Sequence, residues 1–157
     1  MRIAGGLNLY AFPPNAVGWA DPFGLVKKSA IPAANWDRIQ KLPEGPGIYV
    51  LEGNGVKYVG SGVDMKARIC DSDHAKAENI LKDPNCKISY HEVKRNPNDP
   101  GHSLKVAEQT IMKKENIVPV PGSKTQNSIP ALGEDKFDLY SNDPNCTPVV
   151  MRKKAIK

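Results

Sequence analysis

Hydrophobic periodicity is strong in the middle of the chain and weak at both ends. Gly47 to Glu52 (GIYVLE) and Val56 to Gly60 (VKYVG) are short runs of β-branched, aromatic and small residues on either side of Gly53-Asn54-Gly55. Glycine and asparagine tolerate positive φ, so this predicts two antiparallel strands joined by a tight turn. Lys87 to Val93 (KISYHEV) alternates and predicts a third strand. Between and around these runs the spacing turns helical. Trp36, Ile39 and Leu42 form one stripe, with Asn35 or Asp37 available as cap and Pro43 as stop. Gly60-Ser61-Gly62 leads into a helix that Asp64 can cap, with Met65 and Ile69 on one face and Lys66 and Arg68 displaced from it. A polar break at Asp71-Ser72-Asp73 precedes a helical piece from His74 to Leu81. RNPNDPG is loop, and Ser103 is placed to cap the helix SLKVAEQTIMKKEN. From Ile117 onward the chain is studded with proline and predicts a short helix or none. The fold class that follows is α+β, a small three-stranded antiparallel sheet flanked by helices.

Composition narrows the function classes. The formal net charge is +5 and the isoelectric point near 9.1, a balance that favours polyanionic partners such as DNA, RNA or acidic proteins. The basic end, Met151 to Lys157, reads as solvated tail. Cys70, Cys86 and Cys146 are odd in number and without paired spacing, which points to reduced thiols and against a disulfide framework or a structural zinc site. No apolar run is long enough for a bilayer, and no secretory pattern opens the chain, so no membrane partner is expected. Asp-Pro-Asn-Cys occurs at 83–86 and again at 143–146; it is common turn chemistry and no repeat.

Glu108 is the most informative single residue. Leu104, Ala107 and Ile111 lie on one helical face, and Glu108 falls on the same stripe. A half-buried carboxylate is costly unless something positive meets it. Two readings stand: an ion pair with Lys105 one turn back, or a carboxylate kept for a cation. Tyr49 and Tyr58 read as ordinary strand aromatics, and Arg68 as a solvated helix arginine.

Taken together, Gly47-Ile48-Tyr49, Tyr58-Val59-Gly60, Arg68 ten residues after Tyr58, and a helical Glu108 resemble the GIY-YIG nuclease family over residues 46–130. The resemblance implies phosphodiester hydrolysis, with DNA as the expected substrate and RNA left open. It makes Tyr49 the general-base candidate, Tyr58 a positioner of phosphate or water, and Arg68 the guanidinium that takes up phosphate charge. A phenol has an ordinary pKa near 10 and needs nearby positive charge or a relay to accept a proton; Lys57, Lys66 and Arg68 are the local sources. Glu108 would be the metal ligand, for a single Mg2+ or Mn2+, since one carboxylate plus waters and phosphate oxygens suits a hard octahedral ion. Many family members carry histidine or tyrosine four residues after the arginine. Here Ser72 stands there, so His74 either takes that place or lies on the surface, with His91 and His102 as weaker candidates. Asn127 matches the family's bracing asparagine.

Residues 1–25 carry a second resemblance. Arg2, Gly5-Gly6, Asn8-Leu9-Tyr10, Pro14-Asn15 and Asp21-Pro22-Phe23-Gly24-Leu25 are similar to the end of the core of Rhs (YD-repeat) proteins, where an encapsulating shell meets a variable toxin. The division implied is a border segment (1–25), a connector with one short helix (26–45), the nuclease-like domain (46–130) and a C-terminal extension (131–157). The expected setting is a secreted effector delivered into the cytoplasm of a target bacterium. Its partners would be the Rhs shell and a cognate immunity protein, acidic where it meets this chain.

Overall fold

The computed structural model describes residues 31–71, 74–123, 127 and 130–157. The Rhs-like segment, the start of the connector and Ser72 lie outside the described residues. The α+β class and the antiparallel sheet flanked by helices are borne out. In chain order the elements are α1 (Ala33–Gln40), β1 (Gly47–Gly53), β2 (Val56–Gly62), α2 (Met65–Cys70), α3 (Ala75–Leu81), β3 (Lys87–Lys94), α4 (Ser103–Lys114), α5 (Glu134–Ser141), β4 (Val149–Val150) and β5 (Lys154–Ile156).

β1 is the centre of the sheet, pairing antiparallel with β2 on one side and β3 on the other. Its side chains are buried on both faces, which is why GIYVLEG reads as a nearly continuous apolar run. The turn to β2 is the two-residue loop Asn54-Gly55, both with positive φ (52° and 74°), the backbone that matches the twist of a tight hairpin. On one face, Tyr49, Leu51 and Ile88 pack with Trp36, Ile39, Met65, Ile69 and Leu81 of α1 to α3. On the other, Ile48, Val50, Val59 and Val93 pack with Leu104, Ala107, Ile111 and Met112, so α4 covers that side. The strand alternation and the α4 stripe together fix these two cores.

Among the described residues the sheet has five strands, not three. β4 pairs with β3 at Val93 and Lys94, and β5 pairs with β3 at Ile88 to Tyr90. The basic end is solvent-exposed as expected, and part of it pairs as β5, because the outer edge of β3 offers unpaired backbone groups that a short strand satisfies. Two further expectations are corrected. The first helix starts after Pro32, so Asn35 caps nothing; it is buried, and its Nδ2 donates to Leu81 O (2.8 Å) and Asp83 O (2.7 Å), satisfying carbonyls at the end of α3. Ser103 is likewise no cap acceptor. Asp99 Oδ1 accepts from the backbone N–H of Gly101, His102 and Ser103 at 2.9, 2.9 and 3.2 Å, while Ser103 Oγ donates to Asp99 Oδ2. Asp64 does cap α2, accepting from Ala67 N at 3.0 Å.

Beyond Ile117 the chain forms α5, which has no buried side chain. It is held by Lys113 Nζ over the Phe137 ring (4.1 Å) and by Tyr140 stacked on His102 at 4.1 Å between centroids. Among the described residues, no helix is long and apolar enough to cross a membrane.

Candidate active site

β2 is an edge strand, and its register sets up the site. Tyr49 lies opposite Gly60, and Leu51 opposite Tyr58. Tyr49 and Tyr58 therefore project from the same face, with ring centroids 6.3 Å apart. The glycines of the two tripeptides have steric duties. A Cβ on Gly60 would overlap Tyr49 Cζ and Oη, so the Tyr49 ring lies flat across that glycine. A Cβ on Gly47 would stand 2.5 Å from Met65 Sδ and 2.6 Å from His91 O. These are close approaches of side chain to backbone that only glycine permits.

His74, at the N-terminus of α3, completes this cluster. It is 4% exposed and lies edge-on to both rings, 5.9 Å from Tyr49 and 5.4 Å from Tyr58 between centroids. Its Nε2 is 2.5 Å from Tyr49 Oη. Of the two readings open for His74, the surface one is corrected: the break at Asp71 lets the chain turn the imidazole inward. His91 lies elsewhere, buried on β3 with Nδ1 2.9 Å from Met151 O, and His102 serves the α5 stack, so neither joins the tyrosines.

Of the local sources of positive charge, Arg68 does act to lower both tyrosine pKa values, but burial outweighs it. Burial pushes the Tyr49 hydroxyl well above its ordinary value, with the Tyr58 and Glu108 charges adding to the rise and Arg68 opposing it. Burial, helped by Glu108, pushes Tyr58 up to about 12, again against Arg68. Lys57 contributes nothing here because it points to Glu115 (2.9 Å) and Glu52 (3.9 Å). Both phenols are therefore neutral at physiological pH, and Tyr49 can pass a proton onward more readily than it can store one. With the His74 proton on Nδ1, the Tyr49 O–H donates to Nε2.

Glu108 approaches from the opposite face. It is 6% exposed, and two bonds converge on Oε2, from Ser61 Oγ (2.5 Å) and from Lys105 Nζ (2.9 Å). Ser61 follows Gly60 on β2, so strand parity turns it toward α4 while Tyr58 and Gly60 face the other way. At the outer edge of β2, Asn127 takes the place of a neighbouring strand: Val59 N donates to its Oδ1 (3.0 Å) and its Nδ2 donates to Val59 O (2.8 Å). A cleft of about 140 Å³ opens there, lined by Tyr58, Glu108 and Asn127, with Lys76 of α3 and Lys105 of α4 among its walls.

Arg68 does not line that cleft. It sits on α2 with Nη1 2.9 Å from Asp71 Oδ2 and its side chain 44% exposed, near enough to act on both phenols. Among the described residues there is no cluster of three or more His, Cys, Asp or Glu side chains able to hold a metal. Ser61 and Lys76 went unnoticed in the sequence. Strand parity was the available signal for Ser61; Lys76 carried none beyond its charge. No protein-family model, curated protein or solved structure matches the chain.

Proposed function

We propose that this chain is a metal-dependent endonuclease hydrolysing DNA phosphodiester bonds, the toxin end of an Rhs-type antibacterial effector acting in a target cell's cytoplasm and restrained by an immunity protein. One observation carries the chemistry. A buried carboxylate, Glu108, and a buried Tyr–His hydrogen-bonded pair are brought beside one small cleft at a sheet edge, with lysines on its walls. Buried polar groups with no structural need for that arrangement mark a site.

In this reading Tyr58 and Asn127 shape the cleft that receives the scissile phosphate. A water attacks phosphorus, and the leaving oxygen departs with the electron pair of the broken P–O bond and takes a proton from solvent; the attacking water's proton passes to Tyr49 Oη as the Tyr49 proton moves to His74 Nε2. Such a relay needs no free phenolate, in keeping with the raised tyrosine pKa values. Arg68, released from Asp71, takes charge on the phosphate oxygens; removing a donor of this kind typically costs about 3 kcal/mol of barrier. The Glu108 carboxylate and the Ser61 hydroxyl are hard oxygen donors and fit Mg2+ or Mn2+ holding most of its own waters. A cation bound there would draw charge from the phosphate and acidify a bound water.

The test is plasmid incubation with magnesium and with EDTA. Metal-dependent nicking by the wild-type chain and its loss in Glu108→Ala support the proposal. Full activity in Glu108→Ala sinks it. The ion pairs on Glu108 and Arg68 favour one second reading, a nucleic-acid-binding domain without catalysis. Salt-sensitive retardation of DNA without nicking would select it. For the effector setting, the Rhs resemblance implies self-cleavage next to the closing motif at 21–25, and mass spectrometry of the natural product would then show an N-terminus at Val26.

A further inference from the structure

Glu108 and its cation differ sharply in exposure. The glutamate side chain is 8% exposed, the Lys105 side chain 51%. Nearly buried carboxylates need a positive partner, and here that partner is a solvent-facing lysine at the rim of the cleft. An ammonium on a flexible, half-exposed stem is held weakly and can leave without disturbing the fold. The same Lys105 lines the cleft beside Tyr58 and Asn127, so an anion entering there meets it directly. Ser61 Oγ also donates to Glu108 Oε2, a contact to the carboxylate that does not involve Lys105.

We propose that Lys105 is a displaceable counter-ion: it neutralises Glu108 in the resting protein, competes with a divalent cation for that carboxylate, and moves to a substrate phosphate when nucleic acid enters the cleft. The inference rests on the reading of Glu108 as a cation holder. In the resting state one ammonium balances one carboxylate. In the loaded state the phosphate takes the ammonium and the carboxylate is left for the divalent ion. Cation and nucleic acid then bind with positive coupling, each raising the other's affinity by the same factor. Lys105 binds the substrate phosphate in this scheme, and a lysine with a purely structural role would give no such coupling.

The experiment measures Mn2+ binding by electron paramagnetic resonance of the free ion, with and without a phosphorothioate DNA oligonucleotide that resists cleavage. Wild type is expected to bind Mn2+ about fivefold tighter when the oligonucleotide is present, the size a partly exposed ion pair sets. Lys105→Met is expected to bind Mn2+ about fivefold tighter than wild type without DNA, and to gain nothing when DNA is added. Lys105→Arg, which keeps the charge, should behave as wild type, and Glu108→Gln should abolish the binding. Wild-type Mn2+ affinity in Lys105→Met, with binding that still depends on Glu108, overturns the counter-ion role and leaves the cation site standing. Binding that is unchanged in Glu108→Gln overturns both.

Discussion

Replacing Gly60 with alanine probes the packing on which the whole arrangement depends. The added Cβ would overlap Cζ and Oη of Tyr49, a ring that is 1% exposed and cannot swing out to solvent. Forcing a methyl group into a filled core costs about 1–3 kcal/mol. Displacing the ring also breaks the Tyr49–His74 hydrogen bond and leaves a buried imidazole nitrogen without that partner, a further cost of about 1 kcal/mol or more. The sum, roughly 2–4 kcal/mol, is a large share of the stability of a domain this size. Urea denaturation of wild type, Gly60→Ala, Tyr49→Leu and the double variant measures it. Leucine lacks the atoms the methyl group would meet, so the alanine penalty should fall below about 0.5 kcal/mol in the Tyr49→Leu background. A Gly60→Ala variant as stable as wild type, or one whose penalty persists undiminished beside leucine, would refute the claim that Tyr49 lies across Gly60.

Asn127→Ala should cost about 1–3 kcal/mol in the same denaturation assay, because it strips both partners from the buried backbone of Val59; a change under about 0.5 kcal/mol would show that Asn127 does not brace the edge. Raised tyrosine pKa values make the fold alkali-sensitive. The folded state holds the Tyr58 proton more tightly than the unfolded chain, whose value is 10.0, so this stability is whole below pH 10 and is lost as pH rises through about 12. Tyr58→Phe should flatten that fall, and an equally steep loss in the variant would argue against a buried phenol. Hydrogen bonds from Lys153 and Lys57 hold the Glu115 carboxyl down at about 2, against 4.5 ordinarily, so its contribution is present above pH 4.5 and lost as pH falls through about 2. Glu115→Gln should therefore lose about 1 kcal/mol at neutral pH and match wild type near pH 2; a constant gap across that range would dismiss the ion pairs as its source.

The parts of the fold that were legible in the sequence are those whose signal is local. The apolar run GIYVLE, the alternation in KISYHEV, the Asn-Gly turn and the α4 stripe each depend on a few adjacent residues, and the structure has them as read. What was not legible is long-range. β4 and β5 are two and three residues long, too short to alternate, and exist because β3 has an edge to cover. Asn35 sits where a cap would be read, yet its amide serves carbonyls at and just beyond the end of α3, far along the chain. The net direction of the tyrosine pKa shifts has the same origin: burial of the two phenols, which no local pattern shows, outweighs the opposing Arg68 charge, and Lys57 belongs to Glu115. His74 was ambiguous because a helix break tells where a chain turns and not which way a side chain then points.

The position of β2 explains why the candidate site takes the form it does. Tyr58 and Ser61 lie on opposite faces of that strand, one toward His74 and the other toward Glu108. In the middle of a sheet those faces are separated by the neighbouring strands, and no single cleft can meet both. At an edge they open onto the same solvent, so groups carried by α3 and α4, which flank opposite faces, can converge. The same edge leaves the Val59 backbone wanting partners, and Asn127 supplies them with one amide in place of a strand, closing the ladder without closing the cleft. An added strand there would satisfy more backbone and bury the site. The choice of a single side chain for that duty thus favours access over stability, leaving the buried Glu108 carboxylate reachable from the cleft.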